Sequence, residues 1–282
     1  MDKPICLITG ATDGIGKVTA TALARKGYAV VLAARNEAKA ASVTSEIVAS
    51  TGNRDVDYLI ADLRSLAQLH RLADTFTVRY PRLDLLINNA GIIMPRRVLT
   101  EDGYETTFQV NYLAQFYLTQ LLLNELEKSS QGRVINLSSS VYRTGKFDLD
   151  NLQSERQFST ISAYAASKLC VLLFTIELAQ RLESTPVTAN AVHPGIVRTP
   201  MMRHAPGVFR AISYAALPFS RSPVKGAATS IYLADSPDAA QSSGEYFVNA
   251  KVEKIKNAYN TKRNRELLWT LSMKAYQRAL PG

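Results

Sequence analysis

Cysteine is almost absent from this chain: two in 282 residues, Cys6 and Cys170, each inside an apolar run. Thiols so placed read as small core residues rather than a disulfide, and they fit a reducing compartment. Histidine is nearly as scarce, at three, and His70 and His204 have no partners at metal-ligand spacing. No Gly-x-Ser-x-Gly elbow occurs, which leaves a hydrolase of that kind without support. No apolar run approaches the roughly 20 residues of a spanning helix, and Met1-Asp2-Lys3-Pro4 runs into a strand-like segment without a basic-then-apolar leader. The expectation is a cytoplasmic protein with no membrane span. There is no linker, low-complexity stretch or internal repeat, so residues 1–282 read as one domain.

What is present is enough for one large core: 46% of residues are hydrophobic and 20% charged. The net charge is +9, much of it in the stretch 251–282, a basic C-terminal helical extension. No nucleic-acid motif accompanies that excess, so nucleic acid is not an expected partner. A solvated helical face, or a surface attracting anionic ligands or lipid, accounts for it.

Apolar β-branched runs at 5–8, 29–33, 56–60, 83–87, 133–137, 187–192 and 246–248 alternate with helix-length amphipathic stretches, among them 15–26, 37–50, 101–126 and 163–182. Strands buried on both faces read as continuous apolar runs, and alternation with helices predicts a mostly parallel sheet covered on both sides. The expected fold is a doubly wound, Rossmann-type α/β domain with a seven-stranded sheet, and its ligands bind beyond the carboxyl ends of the strands.

Chemistry-bearing residues follow the strands. After the first comes Thr9-Gly10-Ala11-Thr12-Asp13-Gly14-Ile15-Gly16, a strand-to-helix turn in which glycines let the backbone approach a pyrophosphate at a helix N-terminus. After the second come Ala34, Arg35 and Asn36. An acidic residue here would bind the ribose 2′-hydroxyl of NAD(H), whereas an arginine holds a 2′-phosphate. With Arg35 and no carboxylate, NADP(H) is expected over NAD(H); Asp13 is a mild counter-signal. Farther on, Tyr164 and Lys168 are four residues apart, on one helix face. A neighbouring ammonium favours the phenolate, which makes the tyrosine usable as a proton donor or acceptor.

Together these residues resemble the short-chain dehydrogenase/reductase superfamily, over about residues 4 to 250. Thr9-Gly10-x-x-x-Gly14-Ile15-Gly16, with Thr12, Asp13, Arg35 and Asn36, is similar to its cofactor site. Asp62-Leu63 is similar to its adenine-contacting pair, and Asn88-Asn89-Ala90-Gly91 to the motif that stabilises the sheet and lines the cofactor. The resemblance implies a tetrad of Asn111, Ser139, Tyr164 and Lys168. Ser138 and Ser140 flank the serine, so its register is open by one residue. The segment His193-Pro194-Gly195-Ile196-Val197-Arg198-Thr199 resembles the loop that clasps the nicotinamide, with Pro194, Gly195, Val197 and Thr199 as contacts and His193 shaping the loop.

Within the superfamily the chain is most similar to the retinol dehydrogenase-like branch. The signs are Asn151-Leu152-Gln153 in a long 140–162 segment, the His193-Pro194-Gly195 loop and a C-terminal Leu268-Trp269 helix. The resemblance implies that Tyr164 exchanges the substrate proton, Lys168 lowers the tyrosine pKa and holds the ribose, Ser139 binds the substrate oxygen, and Asn111 holds a water joining Lys168 to solvent.

Residues 200–222, rich in Met and aromatics, are expected as a lid over an apolar pocket; peripheral membrane contact or an oligomer contact are the competing readings. A lipophilic carbonyl or alcohol is the expected substrate. Relatives also imply a homodimer or homotetramer, although the basic tail would cover the contact helices. A non-catalytic NADP(H)-binding regulator or scaffold is the alternative, and such proteins typically lose the tyrosine or lysine kept here.

Overall fold

The computed structural model describes residues 3–197 and 220–280. Its strands are β1 (Ile5–Thr9), β2 (Ala29–Ala34), β3 (Val56–Ile60), β4 (Leu85–Asn88), β5 (Arg133–Leu137), β6 (Thr188–His193), β7 (Tyr246–Val248) and β8 (Lys251–Val252). They form one sheet in the order β3-β2-β1-β4-β5-β6-β7-β8, parallel throughout except for the last pair. Every residue of β1, Ile-Cys-Leu-Ile-Thr, is buried, as a strand covered on both faces requires.

The covering helices are α1 (Gly14–Arg25), α2 (Glu37–Thr51), α3 (Leu66–Arg79), α4 (106–121), α5 (Leu123–Glu127), α6 (Thr160–Arg181), α7 (Pro223–Asp235) and α8 (Lys262–Ala279). One buried cluster, with Ile8, Leu23, Ile47 and Leu233, fills the space between the sheet and α1, α2 and α7. The other, with Phe76, Phe116, Phe174 and Leu268, lies under α3, α4, α6 and α8. The chain leaves β1 toward β2 on one side and returns to β4 on the other. That reversal opens a crevice at the carboxyl ends of β1 and β4.

Among the described residues the sheet has eight strands rather than the seven expected. The extra strand, β8, is reached through a two-residue hairpin at Asn249-Ala250, both with positive φ (55° and 58°). That is the backbone a tight hairpin demands, supplied here without glycine.

The helix expected over 101–126 starts later, because Glu105 caps it: its carboxylate accepts from the Thr107 and Phe108 amides at 2.9 and 2.7 Å. This helix, α4, passes through a π-helical turn at Gln109–Leu113 and ends at Leu121. By length and composition α6 could cross a membrane, yet 72% of its apolar window is buried inside the fold. Residues 198–219, and with them Thr199 and nearly all of the expected lid, lie outside the described residues.

Candidate active site

Hydrogen bonds from the β4 end hold the β1–α1 turn in shape. Thr9 Oγ1 accepts from the Asn89 and Ala90 amides, both at 3.0 Å, and Asn89 Nδ2 donates to the Thr9 and Gly10 carbonyls at 2.8 and 3.1 Å. Gly10 and Gly14 have positive φ (65° and 52°). A β-carbon on Gly16 would overlap the Gly10 carbonyl oxygen and the Asn89 amide, so this close approach admits only glycine.

The α1 N-terminus behind the turn is capped by Asp13, whose Oδ1 accepts from the Gly14 amide at 2.7 Å. Its other oxygen pairs with Lys39 Nζ at 2.8 Å. The Lys39 hydrogen bond is the main reason its carboxyl lies below the usual range. The carboxylate that counted against a 2′-phosphate is therefore matched by a cation from α2.

Arg35, at the end of β2, is exposed and lines the crevice, whereas Asn36 turns away to cap α2, accepting from the Lys39 amide at 2.8 Å. After β3, Asp62 is gripped by Arg64 through Nε (3.0 Å) and Nη2 (2.6 Å) to Oδ2. Burial works to raise the Asp62 carboxyl, but hydrogen bonds from Arg64 and the more distant charge of Arg35 hold it low.

At the β5–α6 junction neighbouring serines are placed differently. Ser138 is buried and donates to the Lys168 carbonyl at 2.9 Å, so its hydroxyl is committed to the fold. Ser139 faces the crevice, caps the short 3₁₀ turn Ser140–Thr144 and hydrogen-bonds Tyr164. Lys168 is 3% exposed and donates from Nζ to the Leu137 carbonyl at 2.8 Å.

The expected effect of Lys168 on Tyr164 needs correction. Burial pushes the phenol up to about 12, and the opposing influence is the Ser139 hydrogen bond rather than the ammonium. The i,i+4 spacing brings Nζ over the ring, 5.7 Å from its centroid. Burial also lowers Lys168, to about 8.

Asn111 sits in the π-turn of α4, fully buried. Its Oδ1 accepts from the Ile92 amide at 2.7 Å, and its Nδ2 donates to the Ile92 carbonyl and to Ser167 Oγ, both at 3.0 Å. The side chain thus ties the loop after β4 to α6, and it does not reach the crevice.

After β6, Pro194, Gly195 and Val197 line the crevice, and Arg221 lies against Gly195 (φ +85°). His193 Nδ1 accepts from the Ser140 amide at 3.2 Å. Burial first, then the charges of Arg221 and Arg143, depress its pKa to about 4, so the ring is neutral and shapes the loop.

One continuous cavity of about 600 Å³ joins these pieces, from the Gly10–Gly16 turn and Arg35 to Ser139, Tyr164 and Lys168. Of the expected residues, Asp62, Leu63, Asn89, Ala90 and Gly91 also line it, whereas Thr9, Asn36 and Asn111 stand behind it. Sequence reasoning missed Lys39 and Arg64. Neither belongs to a motif, and the only signal was a basic residue within reach of an acidic one already singled out.

The short chain dehydrogenase family pattern matches residues 4–206. Mouse (Mus musculus) retinol dehydrogenase 12 is 41% identical over 271 residues, covering 95% of this chain and 84% of its own. Human (Homo sapiens) polyprenol dehydrogenase is 38% identical over 278 residues, covering 95% and 83%. Among solved structures, a short chain dehydrogenase from Escherichia coli CFT073 complexed with NADPH superposes with a TM-score of 0.71 at 31% identity, covering 89% of this chain and 98% of that one. The chain belongs to the short-chain dehydrogenase/reductase family, in its retinol dehydrogenase-like branch, and is an oxidoreductase acting on CH–OH and C=O groups.

Proposed function

We propose that this chain is an NADP(H)-dependent oxidoreductase that interconverts a carbonyl and an alcohol on a lipophilic substrate, with Tyr164 exchanging the proton. The observation that carries the reading is the shared cavity. A glycine turn at a helix N-terminus and two arginines line the same space as a Ser–Tyr–Lys cluster.

The residues fit the dinucleotide. The volume is in the range of small-molecule sites, and the turn admits backbone-close approach because Gly16 lacks a β-carbon. Arg35 and Arg64 line the cavity, and the nearby carboxylates Asp13 and Asp62 are each already paired with a cation. Arg35 and Arg64 would hold a 2′-phosphate, the α1 N-terminus the pyrophosphate, and Lys168 the nicotinamide ribose. When bound, NADPH supplies a hydride to the carbonyl carbon.

The chain's own groups manage the charge on the substrate oxygen. Ser139 Oγ hydrogen-bonds that oxygen, and Tyr164 Oη donates its proton to it, or removes the alcohol proton in the reverse direction. Lys168 lies over the Tyr164 ring and would hold the ribose, while the Ser139 hydrogen bond favours the phenolate left behind. Asn111 ties the loop after β4 to α6, the helix that carries Tyr164 and Lys168. Apolar side chains at Ile92, Ile93, Val141 and Ile196 line the cavity and favour a lipophilic substrate. The names of the relatives, retinol and polyprenol dehydrogenases, point the same way. Two buried, unpaired cysteines support a reducing compartment, the cytoplasm.

The test is turnover of a panel of long-chain and isoprenoid aldehydes with NADPH and with NADH, by the wild type, Arg35→Ala and Tyr164→Phe. Arg35→Ala should lose about tenfold or more in NADPH affinity, with NADH affinity little changed. Tyr164→Phe should keep cofactor affinity and lose turnover by about 10²–10⁴-fold. Unchanged NADPH preference in the first, or full activity in the second, overturns the corresponding assignment.

A further inference from the structure

The reading above makes Ser139 the partner of Tyr164, and Ser139 stands at the start of a weak element. The turn Ser140–Thr144 is a short 3₁₀ helix, a conformation with poor internal hydrogen bonding. At its ends the Tyr142 amide donates to the Ser139 carbonyl and the Gly145 amide to the Tyr142 carbonyl, both at 3.0 Å, and Thr144 Oγ1 donates to the Val141 carbonyl at 2.9 Å. Groups outside the turn add to these bonds in setting the position of Ser139.

Two of the outside supports come from the site itself. His193 Nδ1 accepts from the Ser140 amide, and Gly145 lies so close to α6 that a β-carbon there would strike the Ala165 carbonyl and Leu169. The remaining face is held by the chain after β8, beyond the 4–206 stretch that the family pattern matches. Asn257 Nδ2 donates to the Tyr142 and Gly145 carbonyls at 2.8 and 3.0 Å, and lies 3.4 Å from that of Arg143. Its Oδ1 accepts from the Tyr259 amide at 2.8 Å, which fixes the direction of the amide. The Lys256 amide donates to Tyr142 Oη at 3.1 Å, and Glu253 pairs with Arg143. The amide of Asn257 thus gathers the carbonyl oxygens at the far end of the turn that Ser139 begins.

We propose that Asn257 is a positioning residue for Ser139: it clamps the 3₁₀ turn from the C-terminal extension and so sets the Ser139–Tyr164 hydrogen bond. It rests on the reading of Ser139 and Tyr164 as the groups that bind and protonate the substrate oxygen. Asn257 does not line the cofactor cavity, so its effect falls on turnover and not on cofactor binding.

The test uses the full chain with NADPH and an aldehyde, and compares Asn257→Asp and Asn257→Ser with a control, Asn264→Asp. Aspartate keeps the size and the acceptor of asparagine but turns carboxylate oxygen toward the carbonyls, whereas serine keeps one shorter donor. Asn264 donates to the Tyr259 carbonyl at 2.9 Å and does not touch the turn, so the control loosens the same extension without releasing Ser139. Asn257→Asp should lower kcat by about tenfold or more, because small displacements at a reacting centre are costly. Asn257→Ser should fall between it and the wild type. NADPH affinity, read by nucleotide fluorescence, should stay within about twofold.

In alcohol oxidation the pH profile of kcat for both Asn257 variants should move to higher pH, because a phenol that loses its serine hydrogen bond gives up its proton less readily. The control should keep the wild-type profile. If Asn257→Asp does not fold, Asn257→Ser carries the same readouts. A wild-type profile in the Asn257 variants, or the same shift in Asn264→Asp, overturns the inference. Absence of turnover in the wild type overturns the functional reading and this inference with it, whereas normal wild-type turnover with unaltered Asn257 variants overturns this inference alone.

Discussion

At the scale of single residues, the site depends on which groups are neutral and which are paired. His193 is the clearest case. Its Nδ1 can accept from the Ser140 amide only while unprotonated, and burial together with Arg221 and Arg143 keeps it so down to about pH 4. In the unfolded chain the same ring titrates near its ordinary value of about 6.5. Between those two values the unfolded chain binds the extra proton, so this residue's contribution to stability is complete above pH 6.5 and declines as the pH falls toward 4. We expect acidification from pH 7 to 4 to remove about 3 kcal/mol through this residue. His193→Asn, which keeps an acceptor near the Nδ1 position, should lack that portion of the acid loss. Urea denaturation of both proteins across this range measures it, and identical pH slopes would refute it. The histidine was visible in the sequence as a loop-shaping residue. Its neutrality was not, because the burial that mainly lowers its pKa, and the charges of Arg221 and Arg143 beside it, arise only when distant segments fold together.

At the scale of elements, the β1–α1 turn was the most legible part of the molecule. Its glycines are demanded by backbone geometry, so they stand in the sequence at fixed spacing. Gly16 shows how strict that demand is: a β-carbon would meet the Gly10 carbonyl oxygen, the Ala11 Cα and the Asn89 amide. None of these is the free end of a flexible side chain. Gly16→Ala should cost about 1–3 kcal/mol of stability, as other overpacked positions do. It should also weaken NADPH binding more than it slows single-turnover hydride transfer at saturating cofactor. Thermal melts and fluorescence titration check this, and wild-type affinity with wild-type stability would sink it. Other elements were not legible for equally physical reasons. The β7–β8 hairpin places Asn249 and Ala250 at positive φ without a glycine to announce it. The π-turn that seats Asn111 leaves no mark in apolar periodicity, since it adds a single residue to one turn. Glu105 delayed the start of the helix by acting as its N-cap, a role that an acidic residue in an amphipathic run does not advertise.

At the scale of the whole molecule, the chain after residue 250 ties the sheet edge, the Ser139 turn and the far helices into one body. From β8 it passes Tyr142 and then lays α8 across α4 and α6. Trp269 is the main fastening, with its ring 5.2 Å from Phe116 and 6.2 Å from Phe174. The Arg181 guanidinium lies over it at 4.4 Å. That arginine is itself held by buried Glu177 at 2.9 Å, so the cation on the outer side of the ring is fixed in place. At the ends of the contact, Tyr112 Oη bonds Ser272 Oγ and Tyr117 Oη donates to the Ala279 carbonyl. A half-buried tryptophan in such a seat contributes less than a wholly buried ring, whose loss costs about 3–5 kcal/mol, so Trp269→Ala should cost roughly 2–3 kcal/mol. Because α6 carries both Trp269's neighbour Phe174 and the Tyr164–Lys168 pair, the loss should appear in one unfolding transition for probes of the site and of the tail alike. Bound NADPH should shift that single transition upward. Urea unfolding followed by far-ultraviolet circular dichroism and by residual activity tests this. A tail transition well separated from loss of activity would show instead that α8 rides on the fold without helping to hold its site together.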